Sequence, residues 1–264
     1  MSGTGGGSNV VSLSGGKDST AMLHMMLERG EEIHSAVFFD TGWEFPEMHD
    51  YIDLVELKTG IEVVRLTHPQ GFDYWLFERE IVAKKGPNKG KIHRLGNGWP
   101  SPFRRWCTRE KVGCIMKYQK TVPNCVPCIG YAADEKHRVR PGPQRYPLIE
   151  YGVTEEQALA YCRKLGYTWG GLYDIFKRVS CWCCPLQSLK DLRLLRKHRP
   201  ELWEKLLEMD AKQPEHSAGF KDYWRVAQLD DRFSREELYP DDMPKHVVRR
   251  MMKQRQLNVF EFVW

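Results

Sequence analysis

The sequence predicts an α/β protein, a parallel sheet flanked by helices, followed by a helical C-terminal region. Three observations carry that reading. Strand-like and helix-like stretches alternate with short connections through the first half of the chain, the pattern that builds parallel sheets. A glycine-rich turn, SLSGGKDST at residues 12–20, stands between an apolar run at Asn9, Val10 and Val11 and a stretch of helical period. Downstream of residue 185 the apolar residues recur only at helical spacing.

Taken in order, residues 9–11 belong to the first strand. Ala21, Met22, Leu23, Met25, Met26 and Leu27 then form the apolar stripe of a helix that Asp18 or Ser19 is placed to cap. HSAVFF (34–39) reads as the second strand, PEMHDYIDLVELKTG (46–60) as a helix stopped by Gly60, and EVVRL (62–66) as the third strand. Ligands of such sheets bind at the carboxyl ends of strands, so the loops after the first and second strands are expected to share one crevice. Residues 83–111, AKKGPNKGKIHRLGNGWPSPFRRWCTREK, are basic, rich in glycine and proline, and carry two tryptophans. They read as a long functional loop for a phosphate-bearing substrate whose base can stack, single-stranded nucleic acid included. CVPCIGYAADEKHRVR (125–140) reads as another strand ending in a polar loop. Thr154 and Gln157 form a capping box ahead of a helix that turns Ala158, Leu159 and Tyr161 or Cys162 toward a core. LKDLRLLRKH, PELWEKLLEMDAK and HVVRRMMKQRQLNVF are the C-terminal helices, the last carrying Arg249, Arg250, Lys253 and Arg255 on a face for solvent or for nucleic acid.

Charge and composition narrow the function classes. Lysine and arginine exceed aspartate and glutamate by 40 − 35 = 5, a mild excess that permits an anionic partner without demanding one. No apolar run approaches membrane-spanning length and no signal peptide is visible, so a soluble, cytoplasmic protein is expected. Eight cysteines, at positions 107, 114, 125, 128, 162, 181, 183 and 184, point in a reducing compartment to metal or redox chemistry before disulfides.

The glycine-rich turn has the chemistry of an anion cradle. A helix N-terminus carries unpaired N–H groups and partial positive charge, and glycine lets the backbone close on a phosphate. Walker A is excluded because Val11 stands where its first glycine belongs and Asp18 follows the lysine. The dinucleotide fingerprint is excluded because GTGGGS (3–8) precedes the strand and reads as a flexible segment.

What remains, SGGKDS, resembles the PP-loop of the N-type ATP pyrophosphatases, and DTGWEFPEM (40–48) resembles the corresponding segment of the phosphoadenosine phosphosulfate (PAPS) reductase family. The resemblance, spanning roughly residues 9–200, implies an adenine nucleotide α-hydrolase-like fold that splits ATP between its α and β phosphates. It implies a nucleotide site of Ser14, Gly15, Gly16, Lys17, Asp18, Ser19 and Thr20 with Asp40, Thr41 and Gly42. Lys17, Asp18 and Ser19 would act in catalysis, and Asp40 would hold ribose hydroxyls or Mg²⁺. Arg104, Arg105, Arg109 and Lys111 of RRWCTREK, with Glu135 and Arg138, would bind the substrate. Relatives often carry an arginine where this chain has Ala132, which separates it from sulfate recognition of the reductase type.

RVSCWCCPLQS (178–188) places three cysteines in four positions, with Cys181 and Cys184 as a C-x-x-C pair. Together with Cys107, the layout resembles the paired motifs by which adenylyl sulfate reductases hold a [4Fe–4S] cluster. Those relatives have two adjacent cysteines where this chain has Trp106 and Cys107. Cys183, Cys128 or Cys114 would then supply the fourth thiolate, or one iron would stay open for hydrosulfide, as in cluster-dependent tRNA thiolation. A Zn²⁺ site built from Cys125, Cys128, Cys181 and Cys184 is the alternative.

The expected organisation is a flexible segment at 1–8, a PP-loop catalytic domain at 9–185 and a helical extension at 186–264. The expected function is an ATP pyrophosphatase that adenylates an acceptor for iron–sulfur-dependent sulfur transfer to a nucleotide or nucleic acid. DNA or tRNA as the acceptor, a sulfur-donor protein and an oligomeric state are all compatible with it. Two alternatives stand: a sulfonucleotide reductase, against which the lack of any cysteine after Cys184 argues, and a nonenzymatic nucleotide- or nucleic-acid-binding subunit.

Overall fold

A computed structural model of the chain describes residues 7–179, 181–214 and 219–238. The expected helix at 246–260, with Arg249, Arg250, Lys253 and Arg255, lies outside the described residues. Packing divides the chain into two units, Met1–Leu202 and Trp203–Trp264.

In chain order the first unit runs β1 (Ser8–Ser12), α1 (Lys17–Glu28), β2 (Ile33–Asp40), α2 (Glu47–Thr59), β3 (Val63–Thr67) and α3 (Gly71–Asp73), which passes into a π-turn at Tyr74–Glu78. It continues with β4 (Glu80–Val82), β5 (Ile92–Leu95), α4 (Trp106–Gln119), β6 (Cys125–Ile129), a 3₁₀ turn at Ala133–Arg138, α5 (Pro147–Glu150), α6 (Glu155–Lys164), α7 (Leu172–Ile175) and α8 (Leu189–His198). The α/β class read from the sequence is therefore what the structure shows. Among the described residues no helix is long and apolar enough to cross a membrane.

The main sheet has the order β3-β2-β1-β6, with every neighbour parallel. Residues 35–39 of β2 are buried without alternation, as expected of a strand covered on both faces. Gly60 ends α2 in the left-handed conformation (φ 67°), returning its N–H to Glu56 O as the sequence reading anticipated. The Thr154–Gln157 capping box opens α6, with both of its reciprocal bonds made. Cys162 is fully buried there, its thiol donating to Lys17 O at 3.4 Å.

Three expectations are corrected. Neither Asp18 nor Ser19 caps α1: the helix starts at Lys17, and the capping position is Gly16, in extended backbone, which has no side chain to cap with. Residues 83–111 are not one loop, because β4 and β5 pair as an antiparallel hairpin and α4 begins at Trp106. Trp99 and Trp106 are only 5% and 4% exposed and pack with Trp43 in an aromatic cluster, so they do not stack on a ligand. Burying these two large apolar rings is more favourable than leaving them in water, and Gly98 O satisfies the Trp106 indole N–H at 3.0 Å.

The second unit holds α10 (Val226–Leu238) against the end of α9 (Pro200–Ala211) through polar anchors. Asp210, 2% exposed, accepts from Arg225 Nε at 2.9 Å and from the Val226 N–H at 2.8 Å, and Trp203 Nε1 donates to Asp230 at 2.7 Å.

The chain lays β1, β2 and β3 outward in one direction and then returns to place β6 on the other side of β1. The connections therefore diverge between β1 and β6, which is where open α/β sheets bind ligands. Gly130, just past β6, makes that crevice narrow: a Cβ there would sit 3.0 Å from both the Ser19 N and Cα atoms. Gly130→Ala is expected to destabilise the protein by about 1–3 kcal/mol through this backbone clash, measured as a lower midpoint in urea unfolding. An unchanged midpoint would show that the contact relaxes freely.

Candidate functional site

The turn between β1 and α1 is held from below by groups far away in sequence. Gly15 adopts φ 77°, and a Cβ on it would lie 2.5 Å from Met48 Cε. Trp169 Nε1 donates to Gly15 O at 2.9 Å, and the Tyr173 hydroxyl accepts the Lys17 N–H at 2.9 Å. Ser19 Oγ donates to Gly16 O and accepts from Ser14 N, while Ser14 Oγ lies 3.0 Å from it. Thr20 Oγ1 donates to Gly16 O and accepts from the Tyr51 hydroxyl at 2.8 Å. These hydroxyls brace the loop from within. The N–H groups of Asp18 and Ser19 donate to no protein acceptor among the described residues, leaving the first turn of α1 with free donors.

That turn opens into a cavity of about 260 Å³ between the carboxyl ends of β1 and β6. Lys17, Arg138 and Arg178 supply three cations to its wall, and Asp18, Glu135 and Glu155 supply three carboxylates. Lys17 is 7% exposed and divides its ammonium between Asp18 (2.8 Å) and Glu155 (3.1 Å). Glu135 and Arg138 form an ion pair, and the Arg138 guanidinium lies 4.1 Å from the centroid of Tyr131, which stacks on Tyr146. Burial raises the Asp18 carboxyl above its ordinary range; Lys17 opposes the shift, while Glu155 and Glu135 add to it.

Of the predicted residues, Ser14, Gly16, Lys17, Asp18, Ser19, Glu135 and Arg138 line this cavity. Asp40, Thr41 and Gly42 are not among its lining residues. Asp40 accepts the Gly42 N–H at 2.7 Å, closing its own turn, and the cavity described here lies between β1 and β6. Arg104 donates to Asn97 O at 2.9 Å, Arg109 pairs with Glu110, and Arg105 is exposed just ahead of α4. Sequence reading missed Glu155, Tyr173, Trp169, Arg178 and Gly130 as site residues. Glu155 stood in view as the first residue after a capping threonine, a position that aims a carboxylate off a helix N-terminus.

A second cluster forms beyond the end of β2. Glu44 accepts from the Thr41 N–H at 2.9 Å and the Thr41 hydroxyl at 2.7 Å, and Cys181 Sγ lies 3.7 Å from that hydroxyl and 4.0 Å from Glu44 Oε1. Burial pushes both the Cys181 thiol and the Glu44 carboxyl above their ordinary ranges, and Lys111 draws both back. Cys107 shares the face of α4 that carries Lys111, one helical turn away. Cys183 is buried, and the Cys184 N–H returns to Cys181 O at 3.2 Å in a tight turn.

Among the described residues no three histidine, cysteine, aspartate or glutamate side chains gather as a metal-holding group. The thiols of Cys107, Cys181, Cys183 and Cys184 thus do not gather, as they stand, around a single metal ion; a [4Fe–4S] cluster spreads its thiolates over separate irons and asks for a wider spacing. The Zn²⁺ alternative meets a geometric obstacle: Cys125 and Cys128 lie three apart on β6, so their side chains leave opposite faces of the strand. Cys125 packs beside Val10 and Val37, while the Cys128 thiol donates to Asn9 Oδ1 at 3.7 Å.

A glycine-braced helix N-terminus with an adjacent lysine, set at the switch point of a parallel sheet, defines the class of PP-loop nucleotide-binding α/β proteins. Residues 8–96, about a third of the chain, match the phosphoadenosine phosphosulfate reductase domain, which supports a place in the PP-loop, PAPS reductase family. An uncharacterized protein of Methanocaldococcus jannaschii is 26% identical over 213 residues, covering 74% of this chain and 40% of that protein. The chain thus spans less than half the length of that relative.

The raised Asp18 pKa has a consequence for stability. Because the folded state holds this proton more tightly than the unfolded chain, ionised Asp18 costs stability above its folded pKa, and the cost vanishes below the ordinary value of 3.8. Asp18→Asn is expected to raise the Tm at pH 7 by about 1–3 °C, the gap closing as pH falls toward 3.8. Thermal unfolding across pH checks it, and a lower Tm for the variant at pH 7 would show that the Lys17 pair outweighs burial.

Proposed function

We propose that the protein is an ATP pyrophosphatase that adenylates an acceptor and releases pyrophosphate. The observation that supports this most is the pair of free N–H groups at Asp18 and Ser19, in the loop that lines the cavity beside Lys17. An acceptor oxygen attacks the α-phosphorus, and the bond from that phosphorus to the α–β bridging oxygen breaks. The electron pair leaves with pyrophosphate, and the acceptor proton passes to solvent. Charge grows on the departing oxygen, where preorganised N–H donors and Lys17 act most strongly. Arg138 and Arg178 bind the outer phosphates or the acceptor.

The cavity wall balances three cations against three carboxylates, so a polyphosphate must bring positive charge with it. Mg²⁺ supplies that neutralisation when bound, and needs only one or two protein carboxylates besides the phosphates. Asp18 and Glu155 would hold it, Lys17 being transferred from them to phosphate.

A finer reading adds sulfur transfer to a nucleotide or nucleic acid. The proximity of Cys181 to Glu44, Thr41 and Lys111 supports it. Hydrosulfide from a donor would form a carbon–sulfur bond to the adenylated acceptor as the carbon–oxygen bond to AMP breaks. The reductase reading is weaker, since Ala132 is completely buried and leaves no room for an arginine.

With Mg²⁺ and radiolabelled ATP, water serving as a slow acceptor, the expected products are AMP and pyrophosphate. Lys17→Ala is expected to lower their formation by about 10²–10³-fold without altering the circular dichroism spectrum. Formation of ADP and phosphate would overturn the proposal. ATP binding without cleavage, with or without candidate acceptors, would favour the binding-subunit reading.

A further inference from the structure

The β4–β5 hairpin plays no part in the nucleotide site. Its base is bolted to the π-turn: the N–H groups of Gly96, Asn97 and Gly98 donate to Arg79, Trp75 and Leu76 carbonyls at 2.8, 2.9 and 3.2 Å. Beyond the base the pairing continues, Ala83 N to Lys91 O at 3.0 Å and Gly90 N to Ala83 O at 2.9 Å, so the ribbon projects as an ordered element. Lys84, Lys85, Lys89 and Lys91 are all exposed at its tip. No acidic residue occurs between Glu80 and Glu110. Val82, Ile92 and Leu95 are 44%, 54% and 56% exposed along the same ribbon. An isolated two-stranded ribbon with uncovered aliphatics and four unopposed lysines is a poor structural element and a good polyanion ligand.

We propose that this ribbon docks on double-stranded DNA. Charge selects a phosphodiester backbone. Single strands are bound chiefly by stacking on aromatic platforms, and here Trp99 and Trp106 are buried, leaving Phe103 and the small His93 ring exposed in the segment, apart from one another in sequence. A duplex keeps its own bases stacked and needs no platform. The B-form major groove, about 12 Å wide, admits a two-stranded ribbon, whereas the A-form major groove of RNA is too narrow for side chains to read. Within that groove Val82, Ile92 and Leu95 would meet thymine methyl groups. The inference stands on the hairpin alone; joined to the adenylation reading, it names duplex DNA as the polymer carrying the acceptor.

The test is fluorescence anisotropy of the full chain with a labelled 20-base-pair DNA duplex, without nucleotide. Four lysine–phosphate contacts predict a slope of log K against log salt near −3.6, or about a hundredfold loss between 50 and 200 mM salt. Replacing Lys84, Lys85, Lys89 and Lys91 together by glutamine is expected to abolish most of this dependence and weaken binding at least about tenfold. ATP binding, followed separately, stays at the parent level, so failure at the hairpin is distinguished from failure of the nucleotide site. Parent-like DNA binding by the variant, absence of duplex binding by the parent, or equal affinity for single-stranded DNA or duplex RNA would overturn the proposal.

Discussion

Helix α1 begins without a side-chain cap, and the architecture of the first unit depends on that omission. A side-chain cap would have taken up the Asp18 or the Ser19 N–H locally and left fewer donors for a ligand. Gly16 at the capping position leaves them free, and the loop that offers them is immobilised by groups elsewhere: Trp169 on Gly15 O, Tyr173 on the Lys17 N–H, and Tyr51 through Thr20. The partial positive charge at the helix start is thereby fixed in place before any anion arrives, which is the condition under which a dipole stabilises developing charge most.

The same loop concentrates electrostatic cost. Lys17 is nearly buried, and Asp18 and Glu155 give it more negative charge than it needs. Removing charge from water is unfavourable unless it is well paired, and the raised Asp18 pKa shows that its pairing falls short of compensating for burial. A fold selected for stability alone would replace this triad with apolar residues. Its presence beside a cavity fits a site prepared to exchange protein carboxylates for phosphate oxygens.

Much of this was legible in the sequence because it is local. The strands at 34–39 and 62–66, the strand opening 125–140, the stop at Gly60, the Thr154 capping box and the cradle at Gly15 and Gly16 all declare themselves within a few residues. What was not legible is long-range. Glu155 and Tyr173 meet Lys17 from 138 and 156 residues away, and no periodicity encodes such a meeting. The position of this cavity depends on strand order, which sets β6 beside β1 on the side away from β2. Cysteine spacing misled for a related reason. C-x-x-C brings two sulfurs together on a turn, but on a strand it separates them, as at Cys125 and Cys128. The tryptophans of residues 83–111 looked available until packing showed them buried with Trp43.

The family match ends at residue 96, and the cavity does not. Its phosphate-facing floor, from Ser12 to Ser19, lies inside the matched segment, whereas Gly130, Glu135, Arg138, Glu155 and Arg178 on the opposite wall lie outside it. The floor has a generic task, since any polyphosphate presents similar oxygens to backbone N–H groups. On the adenylation proposed here, the opposite wall is where an acceptor would sit to reach the α-phosphorus, and its charges come from segments that the match does not cover. On the proposed adenylation reading, the phosphate chemistry is written in the first third of the chain and the choice of acceptor in the remainder.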